Sequence, residues 1–427
     1  MVKKAYEWKA DGAPAQIAQH SVAKHEVLKA YLLEYLQTLV SSPHQDTMRV
    51  TLVDGFAGGG VYDHEDTGER VLGSPFAFLN TVREAEALMS LQRNKPLQML
   101  VDYIFVEKNR DGFASLEKTL REEGFGGRFG TDIHLHAGGF EDYAQKIIEF
   151  IKSKSPRAGR SLFLLDQYGY KDVPLPLIRN ILSELPRSEV ILTFAVDSFI
   201  NFVSDTPQSR KTLQAMGIPN VFQGRSVREI KDSEPEFRLF IQSSLYRSLI
   251  DATGAKYYTV FFIRTTGHGD YWLVHLSQHP RARDVMTGVH WKSNNDFLHY
   301  GGAGIDMFQG AMLGYQTRKD DDFMGQSALP FGFDDPAGEA SIKALMEQLP
   351  RLIYAREEGL TFGELFATTC NTSPADSGKY KDALGRLIEL KEIDAFSIDG
   401  KRRLKATTLT DADRLTPTRQ SKLFSGD

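Results

Sequence analysis

The sequence holds a single cysteine, Cys370. One thiol excludes a disulfide framework and any cysteine cluster for zinc or iron–sulfur, and it fits a reducing cytoplasm. No apolar run approaches the ~20 residues needed to span a bilayer. The opening residues MVKKAYEWKADGAPA are basic, but no apolar stretch follows, so a secretory signal is not expected. Internal repeats, low-complexity tracts and metal-ligand spacings are also missing. So is an excess of positive charge: 51 Lys and Arg stand against 56 Asp and Glu, a net charge of −5. No global field draws this chain to nucleic acid or an anionic membrane, so any such contact has to come from a local patch.

What remains is an ordinary globular composition, 41% apolar over 427 residues, long enough for two or more units. KHEVLKAYLLEYLQTLV places Val27, Leu28, Tyr31, Leu32, Tyr35, Leu36 and Leu39 on one helical stripe. Short apolar runs then alternate with helical stretches. The strands are MRVTLVD, VDYIFVE, DIHLHA, SLFLLD and EVILTFAV; the first intervening helix opens at Ser74 with Pro75 in its first turn. This order predicts an α/β fold with a parallel sheet covered on both faces. A mostly helical insertion follows around 201–254. KYYTVFFIRTT and DYWLVHLSQ, joined by Gly267, His268 and Gly269, predict a hairpin that adds an antiparallel edge.

The acidic, Gly- and Pro-containing stretch near 319–337 reads as a linker. It separates a first domain, 1–318, from a second, 338–427. In the second, a short helix over TFGELFATT precedes an amphipathic one through Tyr380, Leu384, Leu387 and Ile388. A hairpin with Asp399-Gly400 at its turn follows. Helix, helix and basic hairpin predict a winged helix-turn-helix.

Four stretches carry candidate chemistry. Past the first strand lies Asp54-Gly55-Phe56-Ala57-Gly58-Gly59-Gly60. Glycines there let a ligand approach the backbone, beyond the carboxyl ends of the strands where open α/β sheets bind ligands. No lysine or hydroxyl stands at P-loop spacing, which argues against a phosphate cradle. A tight turn with no ligand also fits the glycines. Glu107 ends the next strand, where a dinucleotide fold puts the acid that holds a ribose hydroxyl pair; a solvated strand end is the alternative. Phe140 and Glu141 open a helix after Gly138-Gly139, where an acid also complements the helix dipole. Asp166-Gln167-Tyr168-Gly169 ends the fourth strand. A carboxylate there can accept the hydrogens of a conjugated amine and localise its lone pair, and an aromatic face can stack an extruded base. An acid packed at a strand end is the plain alternative. Lys401, Arg402, Arg403 and Lys405, just after the second domain's turn, suit phosphate contact; many winged helices instead bind only protein.

The strand order resembles that of Rossmann-like S-adenosylmethionine-dependent methyltransferases. That resemblance implies methionine-side contacts from Asp54, Phe56 and Gly58 to Gly60, ribose contact from Glu107 and adenine contact near Phe140 and Glu141. It also implies a helix bearing Lys24 that closes over the cofactor's carboxylate. Asp166 and Tyr168 fall where amino-group methyltransferases face their acceptor. KHEVLKAYL, LVDGFAGGGVY with the later GSP, FVEKN, LLDQYGY, LTFAVDSFINF and LVHLSQHPRARDVMTGVHW, in this order, are together similar to the three-Cys-motif partner protein family. Membership would imply S-adenosylmethionine as cofactor and a cysteine-motif protein as partner. One departure is Gln167, where proline is expected. The expected function is a cytoplasmic methyltransferase acting on DNA or RNA, with no membrane contact. The alternative is a degenerate methyltransferase fold serving as a nucleic-acid-binding or assembly subunit.

Overall fold

The computed structural model describes residues 8, 14–40, 42, 44–91, 93–157, 159–233, 237–263, 271–293, 297–298, 302–305, 307 and 332–418. They form two compact units, 1–282 and 283–427.

In the first unit the predicted alternation is present. Five strands run parallel: β2 (Thr47–Asp54), β5 (Gln98–Glu107), β6 (Ile133–Ala137), β7 (Ser161–Leu165) and β8 (Ser188–Phe194). With the antiparallel β9 (Tyr257–Ile263) and β10 (Tyr271–Ser277), the order across this unit's sheet is β9-β10-β8-β7-β2-β5-β6. The residues 267–269 expected to join the last two strands lie outside the described residues. From β2 the chain moves to β5 and β6 on one side, then returns to β7 and β8 on the other. The sheet therefore reverses direction between β2 and β7, and the crevice beyond their carboxyl ends is the switch point where such sheets take ligands. Asp54 ends β2 and Asp166 follows β7.

The helix α1 (Gln19–Leu39) covers one face. Val27, Leu28, Tyr31, Leu32, Tyr35 and Leu36 are all buried, as their spacing requires; Leu39, at the end of the stripe, is only half-buried. Helices α2 (Ser74–Leu91), α3 (Arg110–Glu122), α4 (Phe140–Lys154) and α5 (Leu175–Glu184) are the crossovers. The insertion supplies α6 (Val196–Phe202), α7 (Pro207–Met216), α8 (Val227–Ser233) and α9 (Phe237–Thr253). A small second sheet was not foreseen. β1 (Ala15–Ile17) pairs in parallel with β3 (Val61–His64), which pairs with β4 (Arg70–Leu72). This excursion and α2 together account for the long interval between Asp54 and Glu107. Among the described residues no helix is long and apolar enough to cross a membrane.

Below α1 the sheet holds a buried polar cluster. Tyr31 donates its hydroxyl proton to Glu189 on β8, and the same carboxylate oxygen lies 2.9 Å from His275 Nε2 on β10. The Tyr31 oxygen is also 3.0 Å from that nitrogen. All three residues are buried, so each polar group depends on the others for a partner.

The second unit is a winged helix-turn-helix in outline. The helices Asp335–Tyr354, Phe362–Thr369 and Ser377–Glu389 stand against strands Leu360–Thr361, Arg414–Pro417 and Ile393–Phe396, paired in that spatial order. Two boundaries differ from expectation. The helix Pro280–Ser293 crosses the division between units, and from Arg283 on its side chains bond within the second. Arg283 donates to the Ser373 and Ala375 carbonyls and Asp284 accepts from Ser377. The expected linker is shorter at its end: Asp334 caps the helix Asp335–Tyr354, its carboxylate accepting the Ala337 amide at 2.8 Å. Residues 319–331 of that expected linker lie outside the described residues.

Replacing Glu189 by alanine takes the carboxylate from two buried partners. The expected loss is about 2–4 kcal/mol of unfolding free energy, read from urea denaturation; a change below about 0.5 kcal/mol, typical of a surface site, would contradict the role given to the cluster.

Candidate cofactor and acceptor site

The turn after β2 is built from both neighbouring strands. Gly55 N–H donates to Leu164 of β7 and Ala57 N–H to Val106 of β5. Gly58 (φ 64°) and Gly60 (φ 79°) lie in the left-handed region, which glycine enters without penalty. Glu107 locks this shape. One carboxylate oxygen accepts the Gly58 amide at 2.7 Å and the other accepts the Asn109 amide at 2.6 Å. The GSP segment closes the loop from the far side, because Gly73 N–H donates to the Gly60 carbonyl at 2.9 Å. The three sequence signals around Asp54, Glu107 and Gly73-Ser74-Pro75 are thus parts of one structure.

Asp54 is fully buried. Oδ1 accepts the Phe56 amide at 3.1 Å; Oδ2 has no hydrogen-bond partner. Burial raises the carboxyl to about 7, outweighing the hydrogen bonds of the Ser74 side chain and the Phe56 amide, and the nearby Asp166 and Glu107 charges push the same way. A buried carboxylate oxygen without a hydrogen bond of good geometry is costly. Oδ2 makes none, although the Ser74 side chain lies near enough to pull on the carboxyl, so Oδ2 can take a further donor at the switch point. Glu107 is also raised by burial, against the pull of its backbone donors.

Asp166 stands in a contrasting environment. Lys24, near the start of α1, reaches both oxygens at 2.5 and 2.7 Å. Burial alone would raise this carboxyl, but the Lys24 ammonium outweighs it and holds the group below its usual range. Lys24 therefore meets the residue expected on the acceptor side. His25, beside it, is pushed down to about 4 by burial and has Nδ1 without a partner. Lys24, His25, Leu28, Asp166, Thr193 and Leu273 line a small cavity under this pair.

The remaining sequence candidates separate. Phe56 is half-buried and Tyr168 is 38% exposed. Phe140 points into the core. It packs under Gly55, where a Cβ would lie 2.9 Å from its ring, and edge-on to Phe163. Of the two residues expected at the adenine position, only Glu141 offers a side chain to solvent. Gln167 has a role that the sequence did not signal. Its Oε1 accepts the amides of Asp172 and Val173 at 2.9 and 3.2 Å, fixing the loop after β7 in place of the expected proline, while its buried Nε2 has no partner. Trp8 was also missed: it lies against Gly58 and Gly59.

The basic stretch of the second unit is largely neutralised. Lys401 pairs with Asp399 at 3.0 Å, Arg402 with Asp394 at 2.5 Å, and Arg403 grips Asp413 with two bonds. Lys405 is exposed. The expected hairpin is short as well. The turn at Gly400 (φ 76°) is present, but its return is a single bridge, Phe396 with Arg402, and the ladder partner of Ile393–Phe396 is Arg414–Pro417.

Comparison with known proteins adds one domain and a set of distant folds. Residues 314–400 match the model of the GMT-like wHTH domain. No curated protein matches the chain. Among solved structures it is similar to LPL1258 from Legionella pneumophila (11% identity, 62% of this chain and 89% of that one, TM-score 0.35). It is also similar to the O-methyltransferase TomG from Streptomyces achromogenes in complex with SAM (14%, 61% and 88%, 0.26) and to the METTL16 MTase domain (10%, 58% and 66%, 0.26). At these values the neighbours carry no weight for function. The fold is a methyltransferase-like α/β sheet with a C-terminal winged helix-turn-helix, and the strand order itself defines the first part.

The raised Asp54 carboxyl makes a signed prediction. Its folded value, about 7, lies above an ordinary unfolded carboxyl of roughly 4. The folded state then binds more protons between these values, so stability falls as pH rises through that window. Asp54→Asn should flatten this slope and stabilise the protein at pH 8 by an amount on the order of 2–4 kcal/mol. Denaturant melts of both proteins across pH 4–8 check it; parallel profiles would contradict it.

Proposed function

We propose that this chain is a cytoplasmic S-adenosylmethionine-dependent methyltransferase acting on nucleic acid. The observation that carries the reading is the buried, unpartnered Asp54 Oδ2 at the switch point, beside a glycine turn held open by Glu107. An ammonium group is the natural partner for such an oxygen, and the amino end of the cofactor's methionine portion supplies one. Asp54, Phe56 and the Gly58–Gly60 turn would hold that portion, Glu107 the ribose, and Glu141 the adenine side. The cofactor supplies an activated methyl on a sulfonium, so the chain's own task is alignment. Asp166 is kept ionised by Lys24. It is suited to accept hydrogens from an acceptor amine once Lys24 yields, and the exposed Tyr168 ring is suited to stack a base. In this reading the second unit presents the substrate, and a three-Cys-motif protein is the partner.

A second reading is favoured by the wing. With Lys401, Arg402 and Arg403 each paired to an acid, little free positive charge is left there for phosphate. A cofactor-bound or degenerate methyltransferase fold that serves as an assembly subunit accounts for this.

Calorimetric titration with S-adenosylmethionine tests the first reading. The wild type should bind, and Asp54→Ala/Glu107→Ala, checked by melting to be folded, should not. Asp166→Ala should keep binding and lose methyl transfer to DNA or RNA. Retained transfer would remove Asp166 from the mechanism, and no binding by the wild type would favour the assembly reading. For the wing, Lys401→Ala/Lys405→Ala should weaken nucleic-acid binding and lower its salt slope by about 1–2; an unchanged slope would place the contact elsewhere.

A further inference from the structure

Glycines from two separate elements converge on one indole. A Cβ added at Gly59 would lie 2.0 Å from Trp8 Nε1, at Gly58 3.3 Å from Cη2, and at Gly112, in the first turn of α3, 3.1 Å from Cε3. Gly59 is not in the left-handed region, so its backbone would admit a side chain. The nearby indole is what requires glycine there. The point beside Gly112 that lies 3.1 Å from the indole also lies 3.4 Å from Glu107 Cγ. Trp8 thus fills the space bounded by the turn, α3 and the acid placed on the ribose. It is 8% exposed and belongs to a small cluster with Ala15, Ile17 and Tyr62, the last edge-on at 5.7 Å between centroids. A cluster of this size opens at little cost compared with the main core.

We propose that the Trp8 indole is an intramolecular competitor for the nucleotide seat. An adenosyl ligand that touches the Gly58–Gly60 turn and sets its ribose on Glu107 takes the volume that the indole occupies, and so expels it. The inference rests on reading the turn as a cofactor seat. It assigns Trp8 a function in setting affinity: the apparent dissociation constant is raised by the reciprocal of the fraction of molecules with the indole out. Alanine at position 8 removes the competitor, while phenylalanine leaves a smaller one.

The test uses the full chain as wild type, Trp8→Ala and Trp8→Phe, titrated with S-adenosylhomocysteine by calorimetry and followed by tryptophan emission. Trp272 and Trp291 also emit, so the Trp8 signal is the difference between wild type and Trp8→Phe. Trp8→Ala should bind about fivefold tighter if about four-fifths of wild-type molecules are closed. The Trp8 emission should shift to the red at saturation as the indole enters water. Binding by Trp8→Ala alone would support the proposal more strongly still. Equal or weaker binding by Trp8→Ala, or unchanged Trp8 emission at saturation, would overturn it and leave the cofactor reading standing. If neither protein binds, the cofactor reading falls and this proposal with it. If Trp8→Ala fails to melt cooperatively, Trp8→Phe decides, with a smaller change in the same direction expected.

Discussion

The Glu107 carboxylate accepts one amide from the turn after β2 and another from the start of α3, and the site's geometry depends on this pair of bonds. They tie the carboxyl ends of two adjacent strands to one side chain. The left-handed residues Gly58 and Gly60 are held in place, and the turn stays open enough for a neighbour to approach. Without a buried acceptor at that position, the backbone amides of a glycine-rich turn would have to find water or another shape. The fold brings Glu107 there because β5 lies beside β2 in parallel register, Asp54 opposite Phe105.

From that frame two carboxylates acquire opposite characters within one crevice. Asp54, sealed by the turn, rises to about 7 despite the Ser74 side chain and the Phe56 amide. Asp166, on the neighbouring strand's end, is met by a lysine and is held low. Divergent environments for paired acids are a recurrent way to divide labour in a site. Here one acid is an unfilled acceptor and the other a charged group already engaged. Helix α1 connects them to the rest of the fold. Its first turns carry Lys24 and His25, and its later turns are fastened to the sheet through Tyr31, Glu189 and His275.

Much of this was legible in the sequence because periodicity and strand ends are local signals. The alternation of strands and helices, the stripe on α1, and Asp54, Glu107 and Asp166 at the ends of their strands could all be read directly. What was not legible depends on contacts between distant segments. The three-residue β1 has no pattern of its own and exists by pairing with β3. The link from Lys24 to Asp166 spans 142 positions. Phe140 looked available as the first residue of a helix, yet packing against Gly55 and Phe163 turns it inward. KRRLK read as a basic wing, but the acids that neutralise it come from Asp394, Asp399 and Asp413, spread over the surrounding chain. Gln167 departed from expectation by residue type, and only its bonds to Asp172 and Val173 reveal that it fixes the loop.

The central claim is that Asp54, the glycine turn and Glu107 form one ligand seat. Hydrogen–deuterium exchange of the full chain with and without saturating S-adenosylhomocysteine tests it most directly. The account predicts new protection in the segments 54–60 and 107–112, with any further protection at the start of α4 beside Glu141. Saturable binding that leaves both segments unchanged and protects another part of the chain would contradict it.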